Sequence, residues 1–255
     1  MLVSAHDDAF PDPNRSGLVA ALSRLAGAVT AIGSIAASAS FDDDVSAISA
    51  LVQARSLRAQ IAARDILGHH DVRVHVVGTL PRHPAILVAN HLGYLDPLLV
   101  ASLVRTVAIA KGEVGRWPIF GARLRELGVV FVERGDPCSG ARALRGAACA
   151  LESGVSVLNF PEGTTTDGRT VLPFRRGVFG LARRLGVAVV PVRIAYDDPR
   201  ACWVGDQSFV PHYAWLARSV GIVARVSFGA PLVATHESAD SLAARARDAV
   251  VQLAP

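Results

Sequence analysis

Beyond residue 68 the chain is a series of short apolar runs separated by stretches of helical period. Val72, Val74 and Val76 alternate with Arg73 and His75, the two-residue period of a half-buried strand. The runs 85–89, 106–110, 129–132, 155–159 and 187–194 are almost continuously apolar, as strands covered on both faces are. Helix-like segments lie between most of them, residues 222–228 read as a further strand, and residues 238–253 as a closing helix. This alternation predicts an α/β fold, a mixed and largely parallel sheet flanked by helices.

The first 68 residues follow a different pattern. Residues 1–16 are polar and carry Pro11 and Pro13, a leader without a packing signal. Residues 17–41 are apolar apart from Arg24, and the uncharged part, 25–41, falls just short of the roughly 18–20 residues a spanning helix needs. Three readings stay open for it: a helix lying in the bilayer surface, a buried helix, or an export signal. The acidic leader speaks against an export signal, although Ala37-Ser38-Ala39 resembles a cleavage site. Asp42 to Asp44 close the segment, and 45–67 show a broken helical period that Gly68 ends. The expected organisation is a leader with a membrane-associating helical segment over 1–68, then one catalytic-sized domain over 69–255.

Composition supports contact with lipid. Hydrophobic residues reach 51% and charged ones only 19%, at a mean hydropathy of +0.36. A net charge of +4 suits an anionic partner. Nucleic acid is excluded as that partner, because only 6% of residues are aromatic and no recognition module is present. The basic residues are arginines except for a single lysine, Lys111, which either marks a position where a compact ammonium is wanted or is retained by chance. Cys138, Cys149 and Cys202 form no CxxC pair, so neither a disulfide framework nor a zinc site is indicated, and a reducing compartment is the default. His69, His70, His75 and His83 read as surface or turn residues.

Two stretches carry chemistry. Val88-Ala89-Asn90-His91-Leu92-Gly93-Tyr94-Leu95-Asp96-Pro97 follows the buried run at 85–89, with Pro97 placed to open a helix and Asp96 to cap it. On a straight helix His91 and Asp96 would point about 140° apart, so they meet only across a loop. There Asp96 can fix the tautomer of an imidazole that takes a proton from an alcohol; the competing reading is a helix cap beside an incidental histidine. The second stretch, Asn159-Phe160-Pro161-Glu162-Gly163-Thr164-Thr165-Thr166-Asp167-Gly168, follows the run at 155–159. Ligands of α/β sheets collect at such carboxyl ends, and Glu162 with its neighbouring amides and hydroxyls can orient a polar head group.

Together these stretches resemble the signature of the glycerol-phosphate and lysophospholipid acyltransferases, NHxxxxD followed some 70 residues later by FPEGT. Two more blocks match in order: Lys111-Gly112-Glu113 with Pro118-Ile119-Phe120-Gly121 leading into Gly128 to Arg134, and then Val189-Val190-Pro191-Val192. The resemblance covers residues 88–192 and makes 69–255 an acyltransferase domain. It implies that His91 is the general base and Asp96 its orienting partner. It also implies that Arg134 binds a phosphate, with Lys111 nearby, and that Glu162, Gly163 and Thr164 form the acceptor-binding turn. Transfer is then direct, from acyl-CoA or acyl carrier protein to a lysolipid hydroxyl, without cofactor or metal, at the cytoplasmic face of the cell membrane. No GxSxG elbow or paired cysteine suggests an acyl-enzyme.

One position departs from the pattern. Members acting on lysophosphatidate carry an arginine after FPEGT where this chain has Thr165, which leaves the acceptor open among 1-acylglycerol-3-phosphate, a larger lysophospholipid and a lyso-ornithine lipid. Arg169 is a candidate substitute. Arg175, Arg176, Arg183 and Arg184 are expected to form a basic stripe on one helix, facing anionic head groups, an acidic carrier protein or solvent. The rivals to transfer are hydrolysis by the same base and a lipid-binding protein without turnover.

Overall fold

The computed structural model describes residues 45–116, 120–133, 135–205, 207–219, 221–234 and 236–254, together with Ser23, Ala26 and Gly27. The apolar segment 17–41 otherwise lies outside the described residues, as does Arg134. Among the described residues no helix is long and apolar enough to cross a membrane.

In chain order the elements are α1 (Val45–His69), β1 (Arg73–Val77), β2 (Ile86–Ala89), α2 (Asp96–Leu103), β3 (Thr106–Lys111), α3 (Gly112–Gly115), α4 (Phe120–Glu126), β4 (Val130–Val132) and α5 (Pro137–Glu152). They continue with β5 (Ser156–Asn159), α6 (Gly177–Leu185), β6 (Val189–Tyr196), a 3-10 turn (Pro199–Ala201), α7 (Phe209–Arg218), β7 (Val223–Phe228) and α8 (Ala239–Gln252). The seven strands of the described residues form one sheet in the order β1-β7-β6-β2-β5-β3-β4. Every neighbouring pair is parallel except β6 with β7. The mixed, largely parallel sheet read from the apolar runs is therefore the one observed.

Two cores explain why the central runs are continuously apolar. Leu87 and Ala89 of β2 pack with Leu158, Val190 and Val192 beneath Leu99 and Val100 of α2 and Leu216 of α7. Ile86 and Val88 point the other way, joining Val157 and Val189 beneath α5, α6 and α8 through Ala147, Leu151, Phe179 and Leu242. Successive strand residues face opposite sides, so a strand covered on both is apolar on both and takes a polar residue only where it is hydrogen-bonded, as Ser156 is to the N–H of Ala85. At the sheet edges the covering thins: β4 is only half-buried, and Val76 and Val77 of β1 stay 42% and 46% exposed. Edge position, with a partner strand on one side only, accounts for both departures from the buried pattern.

Helix α1 packs against α2, α5 and β3 and buries Ala62, Ala63, Ile66 and Leu67. Its Arg64 and Gln60 donate to the carbonyl of Ser102 at the end of α2, at 2.8 and 3.4 Å, and Gln53 donates to that of Ser153 after α5 at 3.0 Å. The chain from residue 45 onward thus joins the α/β body. His70 lies in a turn, as one of its two readings had it, but not at the surface: it is 1% exposed, with Nε2 3.0 Å from the hydroxyl of Tyr213. The partner is on α7, an element that the apolar pattern does not predict.

Candidate functional site

Parallel pairing of β2 and β5 brings the two chemical loops to one rim. Val88 stands opposite Asn159, so three residues further along each strand His91 and Glu162 arrive at the same level. The main-chain N–H of His91 donates to Oε1 of Glu162 at 2.8 Å, and that of Leu172 donates to Oε2 at 2.8 Å. Glu162 is 4% exposed, and both its oxygens face main-chain amides. Burial raises its carboxyl above the ordinary value, although the amides of Leu172 and His91 pull in the opposite direction. The loop carrying Glu162 is tied a second time, by the N–H of Thr166 donating to the carbonyl of His91 at 2.8 Å.

Asn90 fixes the other flank of His91. Its side-chain amide donates to the carbonyl of Ile194 at 2.9 Å and accepts the N–H of Ile194 at 2.7 Å, which prolongs the β2–β6 ladder beyond its last backbone pair. The imidazole stacks on Phe160, with centroids 4.2 Å apart and planes inclined by 20°. Its Nδ1 lies 2.7 Å from Oδ2 of Asp96, and 24% of the side chain is exposed against none of the aspartate's.

Asp96 differs from its expected place. The carboxylate does not cap α2: it is the helix's first residue, Leu95 holds the N-cap position without a side-chain cap, and Pro97 comes second. The side chain turns back into the loop, where Oδ2 accepts the N–H of Leu92 at 2.6 Å and of Gly93 at 2.9 Å. Oδ1 accepts the hydroxyl of Tyr196 at 2.6 Å. Orphan loop amides compete for this carboxylate, and the five-residue spacing lets it reach them together with His91. Burial first, then the charge of Asp96, pushes the Tyr196 phenol well above its usual range, so its O–H remains a donor.

Lys111 ends β3 at this same rim, because Ala108 pairs with Leu158. Its Nζ contacts Oε2 of Glu113 at 2.7 Å. Thr164 is exposed, and Gly163 has φ +73°, a left-handed conformation that glycine adopts without cost. Arg169 points to Asp167 at 3.5 Å, with 88% of its side chain exposed. The four arginines expected as a helical stripe are all exposed, but Arg175 and Arg176 precede α6, and only Arg183 and Arg184 lie in it. Among the described residues no group of three His, Cys, Asp or Glu side chains is placed to hold a metal ion.

Tyr196, Asn90 and Phe160 are parts of the site that the residue pattern did not single out. Asn90 and Phe160 sit inside the two quoted stretches and were within reach. Tyr196 lies 100 positions from Asp96 and becomes a neighbour only once β6 is known to pair with β2.

Comparison with known proteins bears on the family and the fold. A family model described as Acyltransferase matches residues 71–195. The lyso-ornithine lipid O-acyltransferase of Brucella abortus is 35% identical over 185 residues, covering 65% of this chain and 69% of that one. The 1-acyl-sn-glycerol-3-phosphate acyltransferase of Neisseria meningitidis serogroup B is 30% identical over 153 residues, covering 59% of this chain and 58% of its own length. Among solved structures, the 1-acyl-sn-glycerophosphate acyltransferase PlsC of Thermotoga maritima superposes with a TM-score of 0.62 at 23% identity, over 94% of this chain and 95% of that one, a likeness of fold.

Proposed function

This chain belongs to the acyltransferase family, and we propose that it moves a fatty acyl group from a thioester donor to the free hydroxyl of a lysolipid, with His91 as general base. The observation that carries the reading is the 2.7 Å contact between His91 Nδ1 and Asp96 Oδ2. Leu92, Gly93 and Tyr196 all donate to Asp96, so its oxygens act as acceptors throughout. Nδ1 therefore carries the ring proton, and Nε2 keeps its lone pair.

The step then balances without an acyl-enzyme. Nε2 takes the proton of the acceptor hydroxyl as its oxygen attacks the thioester carbonyl. The tetrahedral intermediate collapses, the C–S bond breaks, and the thiolate leaves with the proton from the imidazolium. Glu162 holds the backbone of His91, Tyr196 holds the second oxygen of Asp96, and Phe160 supports the ring. Gly163 and Thr164 line the acceptor side, and Lys111 and Arg134 are assigned to its anionic group. The thioester supplies the activated acyl group, so the scheme calls for no cofactor; acyl-CoA and acyl carrier protein both meet that need.

Of the three acceptor classes left open, lyso-ornithine lipid is favoured over 1-acylglycerol-3-phosphate and the larger lysophospholipids. Thr165 stands where lysophosphatidate-acylating members of the family carry an arginine, and the Brucella relative, matched over 69% of its length, bears the lyso-ornithine name. A lipid acceptor places the protein at a membrane surface, and a net charge of +4 suits the anionic cytoplasmic face. The test is thiol release from acyl-CoA and from acyl carrier protein with each lysolipid, products being identified by mass spectrometry. Acceptor-dependent acylation by the wild type, lost in His91→Ala, is expected. Thiol release without an acceptor would make the protein a hydrolase, and silence with every pair would leave a lipid binder.

A further inference from the structure

The missing arginine at position 165 raises the question of which cation receives the head group, and three arginines flank the acceptor turn. Arg169 faces Asp167 at 3.5 Å, and Arg176 faces Asp240 at 3.9 Å, so both already point to carboxylates of the protein. Arg175 is arranged differently. Its main-chain N–H donates to the carbonyl of Pro161 at 3.0 Å, which binds the segment after Leu172 directly to the Pro161-Glu162-Gly163 turn. Its guanidinium then lies over the bare Cα of Gly163: a Cβ built there would stand 3.0 Å from both Cζ and Nε and 3.4 Å from Nη1. The side chain is exposed, and none of the carboxylates of the described residues pairs with it.

We propose that Arg175 takes the place of the arginine missing at position 165 and reads the acceptor's head group at the turn, receiving its oxyanion alongside Lys111 and Arg134. The inference rests on the lysolipid reading of the site given above. Glycine without a side chain lets a planar guanidinium settle against the backbone, and the N–H edges that do not face the turn remain available. Such a fork binds two coplanar oxygens at once, which a lysine's point charge does not do. A carboxylate, as on an ornithine head group, and a phosphate, as on lysophosphatidate, both present that pair of oxygens. The same strap that fixes Arg175 also brings Leu172 to Glu162, and through Glu162 to His91, so head-group contact and base are held by one hydrogen-bonded framework.

The experiment measures equilibrium binding of lyso-ornithine lipid and of lysophosphatidate by the wild type, Arg175→Gln, Arg175→Lys and, as a surface control, Arg145→Gln, together with turnover of each lipid. Loss of a charge-assisted contact predicts affinity lower by about tenfold or more in Arg175→Gln, partial recovery in Arg175→Lys, and no change in Arg145→Gln. Whichever lipid loses more affinity identifies the oxyanion as carboxylate or phosphate. Arg175→Gln binding both lipids as tightly as the wild type overturns the proposal, and so does a wild type that binds neither. A wild type that binds an acceptor through Arg175 but never acylates it refutes the transferase reading and leaves this contact standing.

Discussion

The carboxylate of Glu162 accepts the main-chain N–H of His91 at 2.8 Å, so a residue of one loop fixes the backbone that carries the imidazole on the other. With its second oxygen on the amide of Leu172, Glu162 spans both loops from a buried position. Glutamine at 162 has one carbonyl oxygen for two amides, and one of them loses its acceptor. A shift of about 1 Å at a reacting group costs on the order of 100-fold in rate. Glu162→Gln is therefore expected to lower kcat by about tenfold or more, with a smaller change in donor KM, in a thiol-release assay. Unchanged kcat would show that the imidazole does not depend on this strut.

The same residue gives a pH signature. Its folded carboxyl lies above the ordinary value of 4.5, because burial outweighs the two amides. The folded chain then binds the proton more tightly than the unfolded one. That contribution to stability is fully present below the ordinary value and is lost as pH rises through the folded one. The difference in Tm between the wild type and Glu162→Gln should accordingly be most favourable to the wild type near about pH 4 and shrink towards about pH 7. A difference that grows with pH would reverse the sign assigned to Glu162.

Tyr196→Phe removes one of the four donors to Asp96 and leaves Oδ1 of a buried carboxylate without its partner. Destabilisation of about 1–3 kcal/mol is expected. The groups around Asp96 are His91, which shares Oδ2, and Glu162, Tyr94 and Cys202, which are coupled to this cluster by charge. Without the phenol the carboxylate is also free to turn away from Nδ1 of His91, so kcat should fall several-fold beyond the loss of Tm. A purely structural tyrosine would lower Tm and leave kcat of the folded protein unchanged.

How far the sequence could be read follows from where its information lies. The central strands were legible because each is covered on both faces and is therefore mostly apolar, as Ile86 to Ala89 show. The edge strands were misjudged in burial, since Val76 has the same composition as a core valine and differs only in having no neighbour outside it. His91 and Asp96 could be paired because five residues separate them. The actual service of Asp96, to Leu92, Gly93 and Tyr196 rather than as a helix cap, depended on loop geometry that the spacing does not contain. Arg175 was visible as a basic residue, but its place over Gly163 comes from the left-handed turn and the Pro161 strap, both tertiary features.

Asp96→Asn tests the tautomer argument separately from the fold. An asparagine side chain is nearly isosteric but uncharged: with its nitrogen towards Tyr196 the hydroxyl must turn to accept and the negative charge beside the imidazolium is gone, and with its nitrogen towards His91 it faces Nδ1–H and the amides of Leu92 and Gly93. Turning the nitrogen towards His91 draws the ring proton to Nε2 and removes the base. A positioned base contributes about 100- to 10,000-fold, so Asp96→Asn and His91→Ala should both lose activity in that range, with affinity for the acceptor nearly kept. Activity within a few-fold of the wild type in either variant would transfer the role of base to another group.

Direct transfer further predicts that the cysteines are dispensable. Cys202 is buried near Asp96, and burial first, then the charges of Asp96, Asp167 and Asp198, pushes its thiol up to about 11. At about pH 8 only about one molecule in a thousand carries the thiolate, the form that attacks a thioester or an alkylating agent. Cys138 is exposed and Cys149 partly so. Brief treatment with iodoacetamide at about pH 8, followed by peptide mass spectrometry, should label Cys138 first and Cys202 last while acyl transfer continues. Rapid labelling of Cys202 with matching loss of transfer, or an acylated Cys202 trapped with donor alone, would replace the direct mechanism with an acyl-enzyme one.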